Sequence, residues 1–172
     1  MRTYRELDPA RIRGLVFDID DTVTRNGVLE PGAYAAIHRL ADAGFELVAV
    51  TGRPLGWTDV IARIWPVRVA VGENGAGWTW AAEAGLREGY FCGPSEREEQ
   101  ARLLGIVREE VSAAMPHVQV TNDHRHRRCD LAFDVGESVS LPRADIDALV
   151  AIIEDLGARS SVSTVHAHAV PG

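Results

Sequence analysis

Lysine is missing altogether: every one of the 18 basic residues in this 172-residue chain is arginine. That absence excludes any site whose chemistry turns on a lysine side chain. Cysteine is nearly as scarce. Two residues, Cys92 and Cys129, are too few for a disulfide framework and fit a reducing cytoplasm. Long apolar runs are also lacking, since none approaches the roughly 18 residues that span a bilayer. The N-terminus, Met1-Arg-Thr-Tyr-Arg-Glu, has no apolar signal segment, so no membrane partner is expected. Positive charge is outnumbered, 18 basic against 25 acidic residues, for a net charge of −7. With a pI near 5.3, the chain has no basic face for phosphate backbones, and no nucleic-acid partner is expected. What is present is a 46% hydrophobic share, which rules out intrinsic disorder. A chain of this size buries about 70% of its unfolded surface and needs no metal or disulfide staple.

Two different patterns divide the sequence. Residues 13–19 read as a short buried strand, and Asn26-Gly27 marks a hairpin turn between Thr22-Val-Thr and Val28-Leu29. Pro31 opens a helix to about Ala43, which Gly44 stops. Phe45–Val50 is a second strand, Pro54 starts a helix to about Trp65, and Val67–Val71 is a third strand. This alternation predicts parallel strands joined by right-handed helical crossovers, an α/β Rossmann-like core. Beyond Gly72-Glu-Asn-Gly-Ala-Gly the pattern changes. Short strands are expected at Trp78–Trp80 and Leu86–Phe91, then a helix to about Ala114 with Ser95 and Glu98 as a capping box. Val118–Thr121 and Cys129–Val135 look like an antiparallel pair around a polar loop. A helix over 142–156 and one strand over 160–170 follow. Residues 1–80 are thus expected to form the core and 81–172 an α+β module.

Asp18-Ile-Asp20-Asp21-Thr22 follows the first strand directly. Carboxylates at i and i+2 where a parallel strand ends point into the crevice at the sheet's carboxyl edge. Acids this close repel unless a cation lies between them, and hard divalent ions favour oxygen ligands. Taken singly, the segment reads equally well as a solvated acidic turn. Thr51, at the end of the second strand, precedes Gly52, Arg53 and a helix start. A hydroxyl, backbone amides and a helix N-terminus make an anion site, although Thr51 alone reads as a helix cap. An acidic site and an anion site on adjacent strand ends carry more weight together than apart.

Phe17-Asp18-Ile-Asp20-Asp21-Thr22, Val50-Thr51-Gly52-Arg53-Pro54 and Glu73-Asn74-Gly75-Ala76 together resemble the haloacid dehalogenase superfamily of phosphatases. Within it the sequence is similar to the Cof-like and sugar-phosphate phosphatase branch, with a large α/β cap. The resemblance implies that Asp18 is the nucleophile and forms an aspartyl-phosphate. It implies that Asp20 protonates the leaving alcohol and later activates water. Thr51 and the Gly52 amide would hold the phosphoryl oxygens. Arg53 and Asn74 are candidates for substrate contact, although Arg53 reads at least as well as one half of a surface salt bridge. Mg²⁺ would bind the Asp18 carboxylate and the Asp20 backbone carbonyl. The implied partner is a small phosphorylated metabolite such as a sugar phosphate.

The family pattern also includes a third motif, usually a lysine, and a fourth, acidic motif, both after the cap. Neither has a match here, so the sequence is expected to be the first two-thirds of such a phosphatase and to turn over poorly by itself. Alternatives are a non-catalytic, anion-binding module and a phosphomutase of the phosphomannomutase type. A receiver domain is disfavoured, because it needs its acceptor aspartate on a later strand and a lysine. If the strand that flanks residues 15–19 in such folds is missing, this strand becomes a sheet edge open to a second copy.

Weaker signals remain. His124-x-His126 and His166-x-His168, with Cys129 nearby, would pair imidazoles on one face if extended, though such histidines are more often solvated. Arg125, Arg127 and Arg128 read as a charged loop tip, with a basic lip for an anionic substrate as the alternative. Trp57, Trp65, Trp78 and Trp80 read as packing residues.

Overall fold

The computed structural model describes residues 8–172. They form two compact units, which divide between Gly89 and Tyr90.

In the first unit, β1 (Gly14–Asp18) runs into a small hairpin of β2 (Thr24–Arg25) and β3 (Val28–Leu29). Its turn residues Asn26 and Gly27 both have positive φ, 51° and 75°, which is why this dipeptide marks the turn. Helix α1 (Pro31–Asp42) begins on its proline and ends before Gly44, whose φ of 86° reverses the chain. Then come β4 (Glu46–Val50), α2 (Leu55–Ile64), β5 (Val69–Gly72), β6 (Gly77–Ala82) and β7 (Gly85–Tyr90). The sheet order is β1-β4-β5-β6-β7. β1, β4 and β5 are parallel, as the alternation of strands and helices predicts, and β6 turns back antiparallel to β5. Leu47, Ala49 and Ala70 project to one face and pack with Ile37 of α1 and Ile61 and Ala62 of α2. Burying each larger aliphatic side chain contributes about 1.5–3 kcal/mol, so this layer fixes where the strand ends fall. The sheet extends past residue 80, because Trp78 pairs with Val71 and carries β6 and β7 into the first unit.

The second unit contains α3 (Pro94–Ala114), β8 (Leu131–Asp134), α4 (Arg143–Asp155), β9 (Arg159–Val162) and β10 (His166–Val170). The strands form an antiparallel sheet in the order β8-β10-β9. Leu131, Phe133, Ala167 and Ala169 pack against Val107 and Val111 of α3 and Leu149 and Ile153 of α4.

Three local expectations need correction. Helix α3 is capped by Gly93 with Pro94 as its first residue, and Ser95 makes no capping hydrogen bond. The fixed φ of proline takes the first helical position, which places Ser95 inside the helix. Residues 118–121 meet β8 through one bridge, Val120 with Phe133, and form no strand. The main partner of β8 is β10. The single strand expected over 160–170 is a hairpin. There the Ser163 hydroxyl accepts from the amides of Val165 and His166, at 3.3 and 3.0 Å, and turns the chain.

Candidate active site

Asp18 is the last residue of β1 and pairs in register with Val50, the last residue of β4, so Asp18 and Thr51 leave adjacent strand ends. The turn that follows β1 is gathered on one carbonyl. Ile19 O accepts from the amides of Thr22, Val23 and Thr24 at 3.3, 3.0 and 3.1 Å. Asp21 adopts φ 57° in this turn, a conformation that aspartate tolerates better than most residues. Folded this way, Thr22 donates its hydroxyl to Asp18 Oδ2 at 3.1 Å. The Asp18 carboxylate is exposed and Asp20 is half-buried.

Thr51 is 2% exposed and joins both sides of the site. Its hydroxyl donates to Asp20 Oδ2 at 3.1 Å and accepts from the Arg53 amide at 3.0 Å. The Arg53 side chain grips the same carboxylate. Nε lies 3.2 and 3.3 Å from Oδ1 and Oδ2, and Nη2 lies 3.1 Å from Oδ1. The guanidinium also stacks on Trp57 at 5.1 Å from the ring centroid. Arg53 therefore holds Asp20 through two guanidinium nitrogens. Gly52 lies beside Asn74, and a Cβ there would stand 3.0 Å from Asn74 Oδ1. Asn74, at φ 56°, directs its amide to Thr51 O at 3.4 Å. All six candidate residues, Asp18, Asp20, Thr51, Gly52, Arg53 and Asn74, thus gather at the carboxyl end of the parallel strands.

One residue of this cluster is given no role by the sequence. Glu73 is 1% exposed, sits at φ 47°, and accepts the Leu55 amide at 2.9 Å. A buried carboxylate thereby caps the N-terminus of α2, where the helix dipole favours negative charge. The available signal was an acid directly after a buried strand, within Glu-Asn-Gly.

The weaker candidates separate. His124 and His126 lie in a single 3-10 turn, so they do not pair on one face as extended residues would. His166 and His168 do share a face of β10, with ring centroids 5.8 Å apart. Each is bound to a carboxylate at 2.9 Å, Glu137 and Asp130 respectively. Among the described residues no group of three His, Cys, Asp or Glu is arranged to hold a metal ion. Arg127 is not part of a basic lip. Its side chain is fully buried, pairing with Asp130 at 2.9 Å and Asp123 at 3.6 Å. Trp57 is exposed, not a core residue, while Trp78 and Trp80 line a groove of about 1030 Å³ with Val67 and Val69.

The acids Asp18 and Asp20 and the Thr51-Gly52-Arg53 turn therefore sit on neighbouring parallel strand ends. Residues 15–84 match the sequence model of the haloacid dehalogenase-like hydrolases. No curated protein sequence matches the chain. A Thermoplasma acidophilum structure superposes with TM-score 0.71 at 18% identity, over 94% of this chain and 65% of that one. Sucrose-phosphatase from Synechocystis, solved with sucrose and phosphate, gives 0.62 at 13%, over 93% and 64%. IMP-nucleotidase from Plasmodium falciparum gives 0.57 at 12%, over 94% and 54%. These likenesses show that the chain shares the fold of these structures. The chain spans just under two thirds of the first and second of these structures.

Proposed function

We propose that this chain carries the phosphoryl-transfer site of a Mg²⁺-dependent phosphomonoester hydrolase acting on a small phosphorylated metabolite, with a sugar phosphate favoured. The observation behind this reading is the convergence of Asp18, Asp20 and Thr51 at one sheet edge. An Asp18 carboxylate oxygen attacks phosphorus, the ester P–O bond breaks, and Asp20 gives its proton to the departing alcohol. Asp20 then takes a proton from the water that cleaves the aspartyl-phosphate, which releases phosphate and frees Asp18. The Thr51 hydroxyl and the Gly52 amide hold phosphoryl oxygens. Arg53 engages both Asp20 oxygens, so proton transfer requires the guanidinium to yield one of them, and the substrate phosphate is the anion that can draw it away.

The donor set fits Mg²⁺. The Asp18 carboxylate and the Asp20 backbone carbonyl are hard oxygens, and this ion keeps several waters while using one or two protein carboxylates. When bound, it offsets the charge between nucleophile and phosphate. In this reading the second unit, residues 90–172, serves as the cap, and the setting is cytoplasmic, with both cysteines free. No helix among the described residues is long and apolar enough to cross a membrane.

One fact favours slow turnover: the chain has no lysine to neutralise the transferring group. Missing one positioned cation costs about 10³-fold or more. The test pairs p-nitrophenyl phosphate hydrolysis with binding of orthovanadate, each with and without Mg²⁺. Mg²⁺-dependent vanadate binding that Asp18→Asn weakens, with little hydrolysis, is expected. Vanadate binding that ignores both Mg²⁺ and Asp18 would favour the anion-binding module instead.

A further inference from the structure

Arg53 is pinned through its backbone on both sides. Its amide donates to the Thr51 hydroxyl at 3.0 Å, and its carbonyl accepts the Glu73 amide at 3.0 Å. Pro54 follows, and the residue before a proline is pushed to extended backbone. The guanidinium is therefore left to move by turning about its own side-chain bonds.

Two groups set where it goes. Asp20 takes it at both carboxylate oxygens, with Nε at 3.2 and 3.3 Å and Nη2 at 3.1 Å from Oδ1. Trp57, the third residue of α2, lies beneath it, with Cζ 5.1 Å from the ring centroid. The two contacts make different demands. Hydrogen bonds fix which N–H meets which oxygen. Attraction to the ring depends on the charge standing over its face, whichever acceptor the N–H groups serve. An arginine resting on a ring can exchange one acceptor for another without leaving it. Packing does not account for a tryptophan here, because Trp57 is 45% exposed and lies outside the apolar layer of the first unit.

We propose, taking Asp20 as the proton donor described above, that Trp57 is a positioning residue. Its ring keeps the Arg53 guanidinium over the site while the N–H groups pass from Asp20 to the phosphoryl oxygens of an incoming substrate. Asp20 is held in line until phosphate arrives and is then freed to deliver its proton. Without the ring the guanidinium gains rotamer freedom, so it holds Asp20 less and must be ordered afresh to meet phosphate.

Two measurements on the whole chain test this. Exchange of the Arg53 Nε–H with solvent, read by NMR without ligand, reports the hold on Asp20; its signal is the one that Arg53→Lys removes. Orthovanadate affinity with Mg²⁺ present reports the reach toward phosphate. Trp57→Leu keeps apolar bulk and loses the ring. Exchange should quicken and vanadate affinity fall, each about two- to fivefold, the size of an exposed cation–aromatic contact. Trp57→Phe keeps a ring and should restore most of both. Trp57→Gln, a good helix former, stands in if the leucine variant folds poorly. Unchanged exchange in the ringless variants overturns the proposal, and so does a phenylalanine variant no better than leucine. Faster exchange with undiminished vanadate affinity overturns it as well. Wild-type vanadate binding that ignores Mg²⁺ and Asp18 overturns the phosphatase reading instead, and the exchange comparison still decides whether Trp57 positions Arg53.

Discussion

The Thr51 hydroxyl donates to Asp20 Oδ2 at 3.1 Å, across the ends of two adjacent parallel strands. The same oxygen accepts the Arg53 amide at 3.0 Å, so one buried side chain couples the acidic turn after β1 to the start of α2. Thr51→Val removes both bonds while keeping the shape. Each lost partner of a buried polar group costs about 1–3 kcal/mol. Urea unfolding should show a loss of about 1–2 kcal/mol, with vanadate binding weakened, whereas Thr51→Ser should stay close to wild type in both. An unchanged unfolding midpoint for the valine variant would mean that the coupling carries no weight.

Glu73 supplies a second coupling that leaves the candidate catalytic acids untouched. Its carboxylate is buried and accepts the Leu55 amide at 2.9 Å at the first residue of α2. Glu73→Gln preserves an acceptor and removes the charge, so the expected loss is about 1 kcal/mol, the size of a favourable interaction with a helix N-terminus. Glu73→Ala strips the acceptor as well and should cost about 1–3 kcal/mol. Thermal unfolding of the two variants side by side checks the order. Equal midpoints for glutamine and alanine would rule out the capping role.

The first unit was largely legible in the sequence because its signals are local. Proline at the start of α1, Gly44 after it and Asn26-Gly27 each impose a backbone angle, and apolar runs separate the strands. The gathering of Asp18 and Thr51 was legible too, because parallel alternation by itself puts successive strand ends on one edge. The second unit was harder to read, since its partners are chosen by tertiary contact. Nothing near Ser163-Thr164 carries glycine or asparagine, yet the Ser163 hydroxyl makes the turn between β9 and β10. Arg127 gave the same difficulty. It reads as one cation among several at a loop tip, and only its spacing to Asp130, just before the apolar run Leu131–Phe133, hints that both are buried together. A salt bridge for Arg53 was legible, but its partner Asp20 was not, because 33 residues separate the two.

Asp134 offers a test of the second unit on its own. Burial acts to raise its pKa, but the amides of Glu137, Ser138 and Gly136 and the Ser138 side chain outweigh that and hold it below its ordinary 3.8. The Glu137 and Ser138 amides approach to 2.8 and 2.9 Å, so the carboxylate organises the loop after β8. A depressed folded-state pKa contributes stability that is present above the unfolded value and lost as pH falls through the folded one. Asp134→Ala should therefore destabilise the chain by about 1–3 kcal/mol near neutral pH. The difference from wild type should shrink as the pH drops below 3.8, the ordinary value from which Asp134 is lowered. A gap of constant size down to acid pH would assign the effect to packing instead.

His124 should govern the response at milder pH. Burial lowers its pKa first, and the neighbouring Arg108 and Arg127 lower it further, against weaker support for the charge from Asp130 and Asp123. The geometry agrees, because Arg108 Nη1 stands 3.4 Å from Nε2, a contact that needs a lone pair on that nitrogen. The folded chain therefore keeps His124 neutral where the unfolded chain, with an ordinary value of 6.5, takes up a proton. Stability is complete above that unfolded value and declines as pH falls below it toward the lowered folded value. His124→Asn, which cannot charge, removes this contribution and should flatten the stability profile just below pH 6.5 while leaving the profile above it parallel to wild type. Urea unfolding at a series of pH values measures the slope directly. If the asparagine variant loses stability on acidification as steeply as wild type, another group carries the proton and the assignment to His124 fails.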